Sequence, residues 1–164
     1  MTHLAMDPLT LGHVAITLIA IFSGLMVIPA LTRGHDHPAW TGIFLLFSVL
    51  TSATGFLFLN ATGKPTPAQI VGGISFALLA LAGAAYYLGK ARGFWAPVYV
   101  VTATIALYLN VFVLVIQLFL KVPLLHSLAP TGGGPVFGTV QGLVLLIFAV
   151  AGWRGVRNFH PLAD

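Results

Sequence analysis

Apolar stretches alternate with short polar segments along this chain. Five of them, Leu9–Leu31, Trp40–Leu59, Ala68–Leu88, Trp95–Leu120 and Val136–Trp153, contain no Asp, Glu, Lys or Arg. A helix needs roughly 20 apolar residues to cross a hydrocarbon layer ~30 Å thick. Inside that layer only a helix or a closed barrel satisfies every backbone N–H and C=O. The pattern therefore predicts an all-α polytopic membrane protein, a single domain over residues 1–164 with five transmembrane helices in an antiparallel bundle.

The ends of the stretches carry helix-boundary chemistry. Asp7-Pro8 suits an N-cap followed by a first helical residue, and Thr66-Pro67-Ala68-Gln69 has the spacing of a capping box. Pro38 and Pro97 stand near the starts of the second and fourth spans. The connections, Thr32–Ala39, Asn60–Pro67, Gly89–Phe94 and Lys121–Pro135, are short, so sequential helices should be antiparallel neighbours. The last is the longest and holds Pro123, Pro130 and Gly132-Gly133-Gly134, which predicts a flexible connection. Small residues line one face of the fifth span at Gly138, Gly142, Ala149 and Gly152, and one face of the third at Gly73, Ala77, Ala80 and Ala84. Such faces let helices approach closely, within the chain or between copies.

Composition places the chain in lipid: 59% of residues are hydrophobic and 6% charged, too few charges for a water-facing surface. The net charge of +4 comes from seven Lys and Arg against three acids. These bases sit singly or in pairs at span ends, so they report topology and do not form a nucleic-acid patch. Arg33, Lys90, Arg92, Arg154 and Arg157 share one side, Lys64 and Lys121 the other. The rule that basic loops stay inside then puts the N-terminus outside and the C-terminus in the cytoplasm. Trp40, Trp95 and Trp153 fall on the basic side with Tyr86, Tyr87 and Tyr99, where rings with a polar tip suit the headgroup level. No Lys or Arg precedes the first span and no small-residue cleavage site follows it, so it reads as a retained helix and not as a removable signal. The absence of cysteine excludes disulfides, thiolate metal sites and thiol catalysis.

Polar residues within spans are the candidates for chemistry, because a polar group in hydrocarbon needs a partner. Gln117 and Lys121 each fall within about 20° of Asn110 on a helix at 100° per residue, forming a stripe from mid-membrane to the outer face. His13 in the first span and Gln141 in the fifth should lie at a similar depth to Gln117. Together these five residues define a candidate ligand-binding pocket in the outer leaflet; the structural alternative is a set of interhelical hydrogen bonds worth about 1 kcal/mol each. His35-Asp36-His37, with His160 on the same side, offers possible metal ligands, against a polar turn in which Asp36 or His37 caps the second span. No carboxylate lies inside any span, which argues against a proton pump, and no base stands beside the abundant Ser and Thr to activate them. No catalytic residue and no cofactor is assigned.

The run Leu107-Tyr108-Leu109-Asn110-Val111-Phe112-Val113-Leu114-Val115-Ile116-Gln117, followed by Lys121-Val122-Pro123, His126 and Leu128-Ala129-Pro130-Thr131, resembles a family of small bacterial integral membrane proteins. Leu11-Gly12-His13 and Leu50-Thr51-Ser52-Ala53-Thr54-Gly55-Phe56 share the resemblance, which extends over most of the chain. It implies a bacterial inner membrane and a pattern that includes His13, Asn110, Gln117 and Lys121. It implies no activity. The resulting expectation is a non-enzymatic binding or accessory subunit holding a quinone, a lipid or a partner membrane protein. The alternatives are a small transporter or channel for a neutral solute, and a membrane enzyme or metal-binding protein using His35 and His37.

Overall fold

The computed structural model describes residues 7–58, 66–129 and 133–160. Six α-helices occur among them: α1 (Pro8–Thr32), α2 (Pro38–Gly55), α3 (Pro67–Gly83), α4 (Trp95–Lys121), α5 (Pro123–Leu128) and α6 (Pro135–Asn158). A π-helical turn, Ala84–Leu88, extends α3, so five helical segments are long and apolar enough to cross a membrane. The protein is an integral membrane helical bundle.

Proline opens five of the six helices, where its missing N–H costs nothing and its fixed φ suits the first turn. The Thr66 capping box forms with both reciprocal bonds, Gln69 N–H to Thr66 Oγ1 and Thr66 N–H to Gln69 Oε1. Asp7 and His37 occupy N-cap positions without making a side-chain cap bond. The end of α1 is a Schellman closure: Gly34 N–H donates to Leu31 O and His35 N–H to Ala30 O. It requires the left-handed Gly34, φ +79°, whose place against the Asn158 carbonyl leaves no room for a Cβ.

Three boundaries differ from the sequence reading, among them the end of the second span, where α2 stops at Gly55 and not near Leu59. The Lys121–Pro135 connection contains a helix, α5, because Pro123 restarts the chain after the extended Val122. The last span continues past Trp153 to Asn158, taking Arg154 and Arg157 into the helix; long basic side chains at a span end can reach the aqueous boundary.

The five long helices close a ring in the order α1, α2, α3, α4, α6, and α4 is the hub, touching α1, α2, α3, α5 and α6. The core follows from this. Leu107 and Tyr99 of α4, Phe44 of α2 and Leu31 and Val27 of α1 are all essentially solvent-free. Gly24 permits a close approach of α1 to α4 and α2, since a Cβ there would lie 2.5 Å from Leu107 Cδ1 and 2.9 Å from Phe44 Cδ2. Tyr99 is fully buried, with its ring 4.9 Å from that of Tyr86. Helix α6 packs mainly on α4 and α1, and most of its large apolar side chains face outward.

Candidate functional site

The five in-span polar residues are distributed over separate contacts, and no hydrogen bond joins any two of them among the described residues. His13 Nδ1 lies 2.7 Å from Thr54 Oγ1, linking α1 to α2, and its ring meets Phe58 edge-on at 5.2 Å. Thr54 Oγ1 also lies 2.8 Å from its own Leu50 carbonyl. If its single proton goes there, His13 must donate from Nδ1. Asn110 Nδ2 donates to Ser48 Oγ at 3.1 Å in the core between α4 and α2. Gln141 Nε2 donates to the Phe112 carbonyl at 3.1 Å, fastening α6 to α4. Gln117 is half-buried and Lys121 exposed, neither with a side-chain hydrogen bond among the described residues. His13, Asn110 and Gln141 thus act between helices, each in a different pairing.

The turn between α1 and α2 is held from both sides. Tyr86 donates to Asp36 Oδ2 at 2.7 Å, and Asn158 Nδ2 donates to the Thr32 carbonyl at 2.7 Å. Behind Tyr86, the hydroxyls of Thr41 and Tyr99 lie 3.0 Å apart in full burial. Asp36 is therefore committed to α3 and caps nothing. His160, considered as a third metal ligand, has Nδ1 3.1 Å from the Asn158 carbonyl. No group of three His or Asp side chains able to hold a metal occurs among the described residues. Sequence reasoning missed the Asp36–Tyr86 and Thr41–Tyr99 pairs. The cue available was the pair Tyr86-Tyr87 at the end of a span opposite the protein's one loop carboxylate on that side.

Two clefts open on the bundle surface. The first, about 300 Å³, lies between α4 and α6. Val101, Thr104, Ile105 and Tyr108 form its α4 wall, and Leu145, Phe148, Ala149, Gly152 and Trp153 its α6 wall. Gly152 makes the narrow end, since a Cβ there would lie 3.4 Å from Thr104 Cγ2. Thr104 is 5% exposed and its hydroxyl has no hydrogen-bond partner among the described residues, although a helical threonine ordinarily bonds back to the preceding turn. The second cleft, about 460 Å³, lies along the end of α1 and the turn into α2. Leu25, Met26, Pro29 and Ala30 form its floor, and Arg33, His35, His37 and Trp40 its rim.

Small-residue positions on α6 divide in two. Gly152 and Gly155 pack on α4, Gly155 against Val100, whereas a Cβ at Gly138 or Gly142 would meet nothing within 4 Å. The Gly138/Gly142 face is thus not used for packing among the described residues.

Fold and site together define a small polytopic α-helical membrane protein with interhelical polar clasps and two lateral clefts. No protein-family model, curated protein or solved structure matches the chain.

Proposed function

We propose that this chain is a non-enzymatic binding subunit of a bacterial inner membrane that holds a lipophilic molecule with a planar, hydrogen-bond-accepting head, of the quinone type, in the α4–α6 cleft. The observation that carries the reading is the mainly apolar, aromatic-walled cleft itself, with the Thr104 hydroxyl buried and unpartnered among the described residues in its α4 wall. A buried polar atom without a partner costs about 1–3 kcal/mol, a cost that would be removed if the Thr104 side chain turned to donate to a ligand carbonyl in the cleft. Tyr108 and Phe148, with rings 5.8 Å apart, and Trp153 supply aromatic faces. At about 300 Å³ the cleft is at the lower limit of small-molecule sites. It suits a ring head whose tail runs into the bilayer, and it is too small for a whole lipid.

This reading moves the site from the outer-leaflet group of His13, Asn110, Gln117, Lys121 and Gln141 toward the end bearing Arg33, Arg154 and Arg157. Three of the five are already engaged between helices, which also weakens a transporter reading that needs Asn110 on an open path. A partner membrane helix is the second reading, favoured by the open face at Gly138 and Gly142. The orientation we assign puts the N-terminus outside, on the count of basic residues on the two sides.

Short-tailed quinone binding to the detergent-purified protein tests the proposal. Thr104→Val keeps the shape and removes the donor, so affinity should fall about fivefold to tenfold. Gly152→Leu fills the cleft and should abolish binding. Both variants binding like the parent chain while remaining folded would overturn the assignment.

A further inference from the structure

The cleft at the end of α1 has a chemistry different from that between α4 and α6. Its rim is built by the Schellman closure: Gly34 turns the chain, and residues 35–37 then run without helical structure to Pro38. Along such a segment alternate side chains point to opposite sides. Asp36 turns toward α3, where Tyr86 holds its carboxylate, while His35 and His37 line the cleft with Arg33. The lining therefore carries one guanidinium and two imidazoles and no carboxylate. The Arg33 side chain makes no hydrogen bond or ion pair among the described residues.

Beneath this rim the surface is hydrocarbon. Leu25 and Met26 are 45% and 40% exposed on the outer face of α1, and Pro29 lies one turn nearer the rim. Trp40 stands at the junction with its ring 5.8 Å from Phe22, a position suited to an indole between acyl chains and headgroups. An apolar floor continuous with a cationic rim matches a molecule that is apolar along its length and anionic at one end. A free soluble anion would leave the floor unused.

We infer that the cleft bounded by Arg33, His35, His37 and Trp40 is a site for a phospholipid with an anionic headgroup, its phosphate on Arg33 and the imidazoles and the upper part of one acyl chain on Leu25, Met26 and Pro29. The cleft is about 460 Å³, ample for a headgroup and the start of a chain. Tyr86 serves as a positioning residue: by holding Asp36 away from the rim, it keeps a negative charge out of the anion's place.

The test uses the full chain in nanodiscs of phosphatidylcholine and phosphatidylglycerol, with the lipids retained on the released protein identified by native mass spectrometry. Phosphatidylglycerol should be enriched about fivefold over its share of the bilayer, the effect expected of one basic residue close to an anionic group. Arg33→Gln should return the ratio to that of the bilayer and His35→Gln/His37→Gln should lower it, while Arg154→Gln, an exposed base on the same side outside the cleft, should leave the enrichment in place. Unchanged melting temperatures of these surface variants establish that the fold persists. Equal retention of the two lipids by the parent chain would overturn the site, and so would equal losses in Arg33→Gln and Arg154→Gln, which would indicate general surface attraction. Inorganic phosphate should not displace the lipid; displacement at millimolar concentration would overturn the lipid assignment in favour of a soluble phosphate compound.

Discussion

Tyr86 and Asp36 meet through a 2.7 Å hydrogen bond that ties the π-helical end of α3 to the turn between α1 and α2. Just beyond that π turn, Lys90 and Ala91 both adopt positive φ, and the Ala91 N–H reaches back to the Ala85 carbonyl. This widened, tightly closed helix end sets the position from which Tyr86 reaches Asp36. Removing either partner should loosen the turn without unfolding the bundle. In Tyr86→Phe and Asp36→Asn, amide exchange across residues 34–37 should accelerate, and a double-mutant cycle should give a coupling of about 1 kcal/mol. A coupling of zero would mean that the turn is held by Asn158 alone.

The Asn110–Ser48 clasp makes a prediction of sign. Ser48→Ala strands the Asn110 amide in a dry core, whereas Asn110→Leu leaves Ser48 free to bond back to its own helix. Ser48→Ala should therefore destabilise by about 1 kcal/mol, and the double variant Ser48→Ala/Asn110→Leu should recover part of the loss. Thermal unfolding in detergent measures both. A double variant less stable than either single one would contradict the argument.

Glycines 24 and 142 should respond oppositely to added bulk. Gly24→Ala forces the buried Leu107 and Phe44 side chains to move and should cost about 1–3 kcal/mol. Gly142→Leu enters open space, so the stability of the single chain should be unchanged, contrary to what a GxxxG pattern suggests when read as an internal packing face. A changed oligomeric state in Gly142→Leu would identify a second copy as the partner of that face.

Reporter fusions check the orientation. A fusion after residue 160 should report the cytoplasm and one near residue 64 the opposite side, because five basic residues flank one set of span ends and two the other. An external C-terminal reporter would place both clefts in the outer leaflet and would contradict the basic-residue assignment.

The sequence by itself determined the spans, their approximate ends and the bundle class. These depend on local chemistry: uninterrupted apolar runs of membrane length, proline at first turns and the Thr66/Gln69 capping box are written within a few residues of where they act. It also showed which polar residues lie inside the spans, but not what they meet. His13 with Thr54, Ser48 with Asn110 and Asp36 with Tyr86 are 41, 62 and 50 residues apart, and each pairing depends on how two helices are rotated about their own axes. In a water-soluble helix an apolar stripe would reveal that rotation. Here lipid and core are equally apolar, so outward Leu143, Leu146 and Ile147 look like inward Val27, Leu31 and Leu107. Small-residue contacts, close packing and a few hydrogen bonds set the rotation instead, and only the tertiary structure shows that Gly24 and Gly152 face neighbours while Gly142 does not, and that Thr104 lines a cleft.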